Sequence, residues 1–320
     1  MRVWGDVTGG RRPLDGPPGR GSDVYGIYWD EPTQRLLWSY GDGYNTVSGA
    51  DPSLGASVLD EATGVATPIG NWRFDRSCKM TMGGVCAVPD WFAAAHCPGQ
   101  RLAAGFGGYF SIVAVGPASM GPAVAAFDPA AIAPIPGVGS ITARPLVGYP
   151  FNATPYTTPD RCHRDTDYTN EFDSWNPRGG VGYWSWTDQM AQGGVWVDTP
   201  AVTGMLFCPN LGNGRTWYET STLHAERASH AWMVYDPGDL AAVAAGTTPQ
   251  WAIQPARSWS VRYPGLTYPQ PGWSDGPQHP VTGVCFDTVE HMVYVAVQWP
   301  WSPGAPASGT LVSAYEIAVV

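Results

Sequence analysis

Lysine is nearly absent from this chain. Its 320 residues include one lysine, Lys79, and 16 arginines, and the net charge is −10. Only 14% of the residues are charged, and the arginines form no basic stripe that could neutralise phosphates. We therefore expect no nucleic-acid partner. A net negative surface also disfavours anionic membranes and is compatible with neutral or cationic ligands.

Long apolar runs and targeting signals are missing as well. No apolar run reaches the ~20 residues that a transmembrane helix needs, so the sequence predicts no membrane insertion. The segment from Met1 to Asp6 does not have the pattern of a signal peptide. The compartment stays open: the protein is secreted or periplasmic if a leader is missing from this chain, and cytoplasmic otherwise.

The chain also lacks familiar catalytic motifs. It has no GxSxG elbow, no P-loop and no Rossmann fingerprint, and its six cysteines have no zinc-finger spacing. Six cysteines fit three disulfides or buried thiols equally well. The pair most suited to a disulfide is Cys86 and Cys97, because the two would flank one hairpin. No motif therefore fixes a reaction.

Glycine, proline and aromatic residues are abundant. The chain has 40 Gly, 31 Pro, 16 Trp and 15 Tyr. A chain so rich in aromatic residues can bury enough surface to offset its backbone entropy, which argues against disorder. Glycine and proline then punctuate many short strands as turns.

Two segments of hairpin length align without gaps. Gly26–Asp30 is followed after four residues by Arg35–Tyr40, and Gly283–Asp287 is followed after four residues by Met292–Val297. Each predicts a strand, a tight turn opened by Asp, and a second strand. Weaker relatives of the first strand are Gly84–Asp90 and Gly182–Asp188.

A second signature follows each of these, as a small residue and an alternating run that ends on an acid. The copies are Ala56–Asp60, Ala123–Pro129, Ala231–Pro237 and Val312–Glu316. After three of them a further strand is predicted, at Val65–Phe74, Ile141–Tyr149 and Trp251–Val261. The unit is therefore four strands. Short helical turns are predicted at Pro89–Ala95 and Asp239–Ala245.

This repeated four-strand unit resembles a β-propeller, in which each antiparallel sheet is one blade. The resemblance is at the level of the fold, without a WD or kelch signature. It implies one all-β domain over residues 1–320 with at least four blades. A fifth blade in residues 98–180, membership of a larger ring and a β-sandwich are the alternatives. Residues 1–10, within an N-terminal segment 1–23, could supply the fourth strand of the last blade.

In propellers, ligands usually bind where the connections from strand 2 to strand 3 and from blade to blade gather. In this chain those connections are long, aromatic and polar, whereas the turns predicted at the other face are short. Long loops on one face of a rigid scaffold are where function is usually built. The connections are 41–54, 106–121, 150–180, 208–229, 262–280 and 299–309.

The connection 208–229, which leads into His230, carries histidine, glutamate and arginine residues close together. In an extended chain His224, Glu226 and His230 could point the same way. They could bind a divalent metal or act as an acid–base set, with Arg215 or Arg227 stabilising developing negative charge. The alternative is that His230 is buried in a strand and that Glu226 and Arg227 form a solvated turn.

The connection 150–180 offers two further hypotheses. His163 and Tyr168, with an arginine nearby, would suit β-elimination from a uronic acid; propeller-fold polysaccharide lyases use such residues, and the resemblance is by fold and residue type. Alternating oxygen ligands could also hold Ca²⁺ or another divalent metal, although the glycine of an EF-type loop is missing. The alternative is a solvated loop. The candidate metal ligands are Asp165, Asp167, Asn170 and Asp173.

Aromatic residues beside acids and amides suggest a sugar site, because rings stack on a pyranose while polar groups bind its hydroxyls. The alternative is that these rings pack between blades. The candidate substrate-binding residues are Asp42, Tyr44, Asn45, Tyr109, Trp217, Trp273, Asp275 and Trp301.

Two functions therefore remain. One is a carbohydrate-active propeller, a polysaccharide lyase or glycoside hydrolase acting on an oligosaccharide. The other is a non-catalytic propeller that binds carbohydrate or protein, or serves as a scaffold. An enzyme needs its titratable groups to converge on one pocket, whereas a binding module would offer several shallow sites.

Overall fold

The computed structural model describes residues 6–8, 23–41, 51–106, 122–148, 188–189, 194–219, 222–266, 281–298 and 310–317. Strands dominate these residues, and they form four separate sheets in chain order.

Blade 1 contains the four strands that its sequence signatures predict. They pair in sequence order, and a 3-10 turn closed by Gln34 joins the first two. Gln34 has a φ of 53°, a left-handed conformation that suits a tight turn. The strands are β1 (Asp23–Asp30), β2 (Arg35–Gly41), β3 (Leu54–Asp60) and β4 (Val65–Phe74).

Blade 2 contributes one strand to its neighbour. Its segment contains β5 (Gly83–Ala87), α1 (Asp90–His96), β6 (Leu102–Phe106), β7 (Val124–Phe127), β8 (Val138–Ile141) and β9 (Ala143–Val147). Four of these strands form blade 2 in the order β5-β6-β7-β9. β8 instead pairs in parallel with β4, so that Phe74 lies beside Ile141. Blade 1 thus has a fifth strand.

The described part of blade 3 begins at Asp188. Its segment contains β10 (Asp188–Gln189), β11 (Gly194–Asp198), β12 (Thr203–Phe207), β13 (Asn210–Glu219), β14 (Thr222–Tyr235), α2 (Pro237–Ala244) and β15 (Arg257–Val261). Of the described strands, β11 takes the first position in the blade, beside β12. The strand predicted at Gly182–Asp188 lies, apart from Asp188, outside the described residues. The run from Val195 to Val197 is continuously apolar and buried, as a strand covered on both faces requires.

Blade 4 has three described strands, which pair in sequence order. Residues 6–8 form a turn near blade 1, where the Ser57 hydroxyl donates to the Val7 carbonyl at 2.6 Å. Closure of the last blade by residues 1–10 otherwise lies outside the described residues and stays a prediction. The strands of blade 4 are β16 (Val281–Asp287), β17 (Met292–Gln298) and β18 (Thr310–Glu316).

The four sheets form a ring, which confirms an all-β, four-bladed propeller. β5 contacts β1, β11 and β16, so the first strands of the blades meet near the centre. Within the described part of residues 98–180 every strand belongs to blade 1 or blade 2, and none forms a fifth sheet.

Blade 2 contributes residues to both clusters of the apolar core. In β6, Leu102 and Ala104 belong to a cluster with blade 1, whereas Ala103 belongs to a cluster with blades 3 and 4. Alternate residues of a strand point to opposite faces, so a single strand joins the two clusters.

The two predicted helical turns are confirmed as α1 and α2. α1 lies in the connection 88–101, and α2 lies in the connection 236–256. These two connections are longer than the short turns that the sequence predicted for the face opposite the long loops. The disulfide favoured for Cys86 and Cys97 does not form, because both are buried free thiols. Burial raises the pKa of Cys86 to about 12.

Candidate functional site

The connection 208–229 is a long β-hairpin rather than a loop. β14 has 14 residues; its end pairs with β12, and its beginning pairs with β13. Trp217 lies directly opposite His224, and Asn213 lies opposite Arg227. The register shifts between Asn213 and Thr216. The alternative in which Glu226 and Arg227 form a turn is therefore wrong.

His230 lies where β14 leaves the blade and enters the hairpin. Its backbone pairs with Asn210 on one side and Val261 on the other. The residue is 1% exposed, and its ring centre lies 4.8 Å from that of Tyr263. This burial matches the structural alternative for His230, because a general acid or base must reach its substrate.

An aromatic cluster surrounds His230 at this end of blade 3. The indole nitrogen of Trp232 donates to the Tyr263 hydroxyl at 3.1 Å, and Trp232 packs edge-on against Tyr315 of blade 4. Trp232 and Tyr263 are almost fully buried. The cluster therefore forms a rigid base from which the hairpin projects.

Cys208 lies beside this cluster and is completely buried. Burial raises the pKa of its thiol far above the ordinary value, and a hydrogen bond with Tyr263 only partly opposes this. A thiol is a nucleophile in its deprotonated form. Cys208 therefore packs as a small apolar side chain and is not poised for covalent catalysis.

Of the candidate site residues, the structure describes the side chain of His230. The backbone alone is described for Arg215, Trp217, His224, Glu226 and Arg227. His224 and Glu226 lie two residues apart in the extended strand β14, as the predicted acid–base set requires. The candidates outside the described residues are Asp42, Tyr44, Asn45, Tyr109, His163, Asp165, Asp167, Tyr168, Asn170, Asp173, Trp273, Asp275 and Trp301.

The aspartates that end the first strands have a role that the sequence did not reveal. Asp30 of blade 1 is fully buried and binds Arg101 of blade 2 through two contacts of 2.5 and 2.7 Å. Asp198 of blade 3 accepts a hydrogen bond of 2.8 Å from the Trp91 indole of blade 2. Connection 88–101 therefore ties blade 2 to both neighbours.

The surroundings of Asp30 favour its ion pair with Arg101. Burial acts to raise the pKa of its carboxyl, but hydrogen bonds from Arg101 and Thr33 and the charges of Arg101 and Arg35 together hold that pKa below its usual value. The carboxylate is therefore ionised at neutral pH and paired across the blade interface.

The described residues show neither a metal cluster nor a helix of membrane-spanning length. No group of three or more His, Cys, Asp or Glu residues in them could hold a metal ion, and the predicted calcium ligands lie outside them. Neither α1 nor α2, the helices of this part of the chain, is long and apolar enough to cross a membrane.

No protein-family model, curated protein or solved structure matches this chain significantly. The geometry of the propeller and its hairpin is therefore the basis for inferring a function.

Proposed function

We propose that the protein is a carbohydrate-binding propeller that takes an oligosaccharide beside the β13–β14 hairpin. The observation that carries this proposal is the pairing of Trp217 with His224 on two strands that project from the blade. An indole ring can stack on the apolar face of a sugar, and a neighbouring polar group can bind a hydroxyl.

Two features of the molecule support a ligand site at this end of the propeller. The buried cluster of His230, Trp232 and Tyr263 fixes the base of the hairpin, which lowers the entropy lost on binding. The connections that leave the same ends of the strands also carry Trp273, Asp275 and Trp301 in the sequence.

Binding fits the geometry better than catalysis because His230, one member of the predicted acid–base set, is buried. A polysaccharide lyase or glycoside hydrolase is the second candidate. One observation favours it. His224 and Glu226 lie two residues apart on an extended strand, which is the spacing that a pair acting on one substrate would need.

The test is calorimetric titration with neutral and uronate oligosaccharides. We expect Trp217→Ala to weaken binding about tenfold, because a lost stacking contact of ~1.4 kcal/mol corresponds to that factor. The matched control is Trp29→Ala, since Trp29 is a partly exposed indole in blade 1. Unchanged affinity in Trp217→Ala, or no binding of any oligosaccharide, would contradict the proposal.

The same oligosaccharides separate binding from catalysis. Incubation followed by product analysis should return them intact. Release of reducing ends or of unsaturated uronates that disappears in His224→Ala would establish the enzyme in place of the binding protein.

A further inference from the structure

Two arginines at the junctions between blades have different surroundings. Arg101 binds the buried carboxylate of Asp30 through two contacts. Arg76, in the connection from blade 1 to blade 2, is partly buried, and its Nη2 donates to the neutral side-chain oxygen of Gln250. The Nε of Arg76 is buried and has no hydrogen-bond partner. Within the described residues Arg76 forms no salt bridge, so its charge has no paired anion there.

The charge of Arg76 is only weakly compensated by its neighbour in the sequence. The Asp75 carboxylate attracts the guanidinium, but Asp75 is exposed and accepts a hydrogen bond of 2.9 Å from the Ala143 amide. Burial outweighs this attraction and lowers the pKa of Arg76. The guanidinium stays charged all the same, because the ordinary pKa of arginine lies far above neutral. Removing a charge from water without a partner is costly, so an anionic ligand group would supply what Arg76 lacks.

Arg76 lies on the face of the propeller from which the β13–β14 hairpin projects. Thr81, in the same connection as Arg76, forms a hydroxyl–hydroxyl hydrogen bond of 2.9 Å with Ser53, which precedes β3. The carbonyl of Gln250 accepts a bond of 3.3 Å from the Gly148 amide, just after the end of β9. Gln250 belongs to blade 3, whose strand β15 pairs with β14. The hydrogen bond from Arg76 to Gln250 therefore fixes the guanidinium to the blade that carries the hairpin.

The negative charge of the molecule is concentrated on the opposite face. That face holds the connections from strand 1 to strand 2 and from strand 3 to strand 4 of each blade, and twelve acids against four arginines give it a charge of −8. These residues lie within 30–35, 60–61, 90–101, 128–144, 236–257 and 287–290, and at 198 and 316. The net charge is −10, which leaves −2 for the rest of the chain. The hairpin face therefore repels an anion much less than the net charge suggests.

We propose that the ligand of the hairpin face is an acidic oligosaccharide and that Arg76 binds the carboxylate of one of its uronate residues. This assignment rests on the proposed function, carbohydrate binding, and names the class of sugar. The planar guanidinium matches the geometry of a carboxylate, and a hydrogen bond between two charged groups is stronger than the bond to the neutral amide of Gln250. A neutral sugar would leave the charge of Arg76 unpaired. The carboxylate is therefore the group that determines selectivity.

The first test compares an oligogalacturonate with its methyl ester by calorimetric titration of the unmodified protein. The ester keeps the sugar rings and removes the charge of the carboxylates. We expect the free acid to bind about tenfold more tightly than the ester, because one hydrogen bond between charged groups is worth about that factor. Rising salt concentration should weaken binding of the acid and leave binding of the ester unchanged, since salt screens charge.

The second test locates the carboxylate with variants. Arg76→Met should abolish the preference for the acid, because methionine removes the charge. Arg257→Met removes the same charge from an exposed residue on the opposite face and should keep the preference. Thermal unfolding separates ligand recognition from a structural role. Arg76→Met should be as stable as the unmodified protein, since the lost charge is unpaired, whereas Arg101→Met should be less stable because it leaves Asp30 buried without its partner.

Several outcomes would overturn this proposal, and they are distinct from failure of the proposed function. Equal affinity for the acid and the ester would refute a uronate ligand and leave carbohydrate binding intact. A preference that persists in Arg76→Met, or a marked loss of stability in that variant, would refute the role of Arg76. Tighter binding of a sulfated neutral oligosaccharide than of the uronate would replace the carboxylate by a sulfate. Failure of both acid and ester to bind would refute carbohydrate binding itself, and this proposal with it.

Discussion

Single residues at equivalent repeat positions have different surroundings in different blades. Gly26 and Gly283 open the same signature in blades 1 and 4. A Cβ on Gly26 would lie 2.5 Å from the Gly83 carbonyl oxygen and 2.8 Å from the Gly84 Cα. A Cβ on Gly283 would meet nothing closer than the Ala296 Cβ at 3.9 Å. Blade 1 thus needs glycine for close contact with blade 2.

We expect Gly26→Ala to lower the free energy of unfolding by about 1–3 kcal/mol, because backbone atoms of β5 must move to admit the methyl group. Gly283→Ala is the matched control and should be neutral. Urea unfolding of both variants measures the difference. Equal effects of the two substitutions would show that the blade interfaces are alike.

The Asp30–Arg101 pair predicts a pH dependence of stability. The pKa of Asp30 is lowered in the folded protein, so its contribution is present above the unfolded value of ~3.9 and is lost as the pH falls through the folded value. Asp30→Asn should therefore cost about 2 kcal/mol at pH 7 and progressively less below pH ~4. Urea titrations at pH 7 and pH 3, with the exposed-turn variant Glu61→Gln as control, test this. A constant cost at both pH values would contradict it.

The chemistry of these residues was only partly predictable from sequence. The aspartate that ends each first strand was recognised as a turn residue, and Asp287 does cap its turn through the Val289 and Glu290 amides. In blade 1, however, the corresponding Asp30 pairs with Arg101 of blade 2, which is 71 positions away in the sequence. A local sequence pattern does not show which distant side chain the fold brings into contact.

Among the elements, α1 and α2 end at one shared side chain. Arg144, at the start of β9, donates to the carbonyls of His96 and Ala244 at 3.3 and 3.2 Å. These residues end α1 and α2, where unpaired carbonyls and the helix dipole favour a cation. One arginine thus fixes both helices against the outer strand of blade 2.

We expect Arg144→Met to lower the free energy of unfolding by about 1–2 kcal/mol, because both helix ends lose a charged donor. Hydrogen exchange at the ends of α1 and α2 should accelerate. Arg257→Met, at an exposed residue, is the control. Arg144→Lys should be intermediate, since it keeps the charge but loses the planar fork. An unaltered exchange rate in Arg144→Met would refute this role.

Element prediction succeeded where period-2 patterning and turn residues agreed, as in all four strands of blade 1. It missed two elements of blade 3. The Gly194–Asp198 run of β11 has the glycine and the aspartate of the first-strand signature, but the sequence analysis did not assign it to a strand. The glycines from Gly212 to Gly214 were interpreted as a loop, whereas they lie in a hairpin strand with a register shift, a place that tolerates glycine.

At the scale of the whole molecule, the blades share their core. Because β6 belongs to both apolar clusters, loss of blade 2 would expose buried surface on blades 1 and 3. We expect a single unfolding transition in guanidinium, with coincident curves from tryptophan fluorescence and far-UV circular dichroism. Separate transitions would show that the blades unfold independently.

The β4–β8 pair affects how the chain folds as it is synthesised. β4 is complete at residue 74, but the strand that covers it ends at residue 141. At roughly 5–20 residues per second, the nascent first blade waits several seconds with its outer edge uncovered. Synonymous codons that slow the ribosome between residues 75 and 141 should therefore lower the yield of folded protein without changing any amino acid.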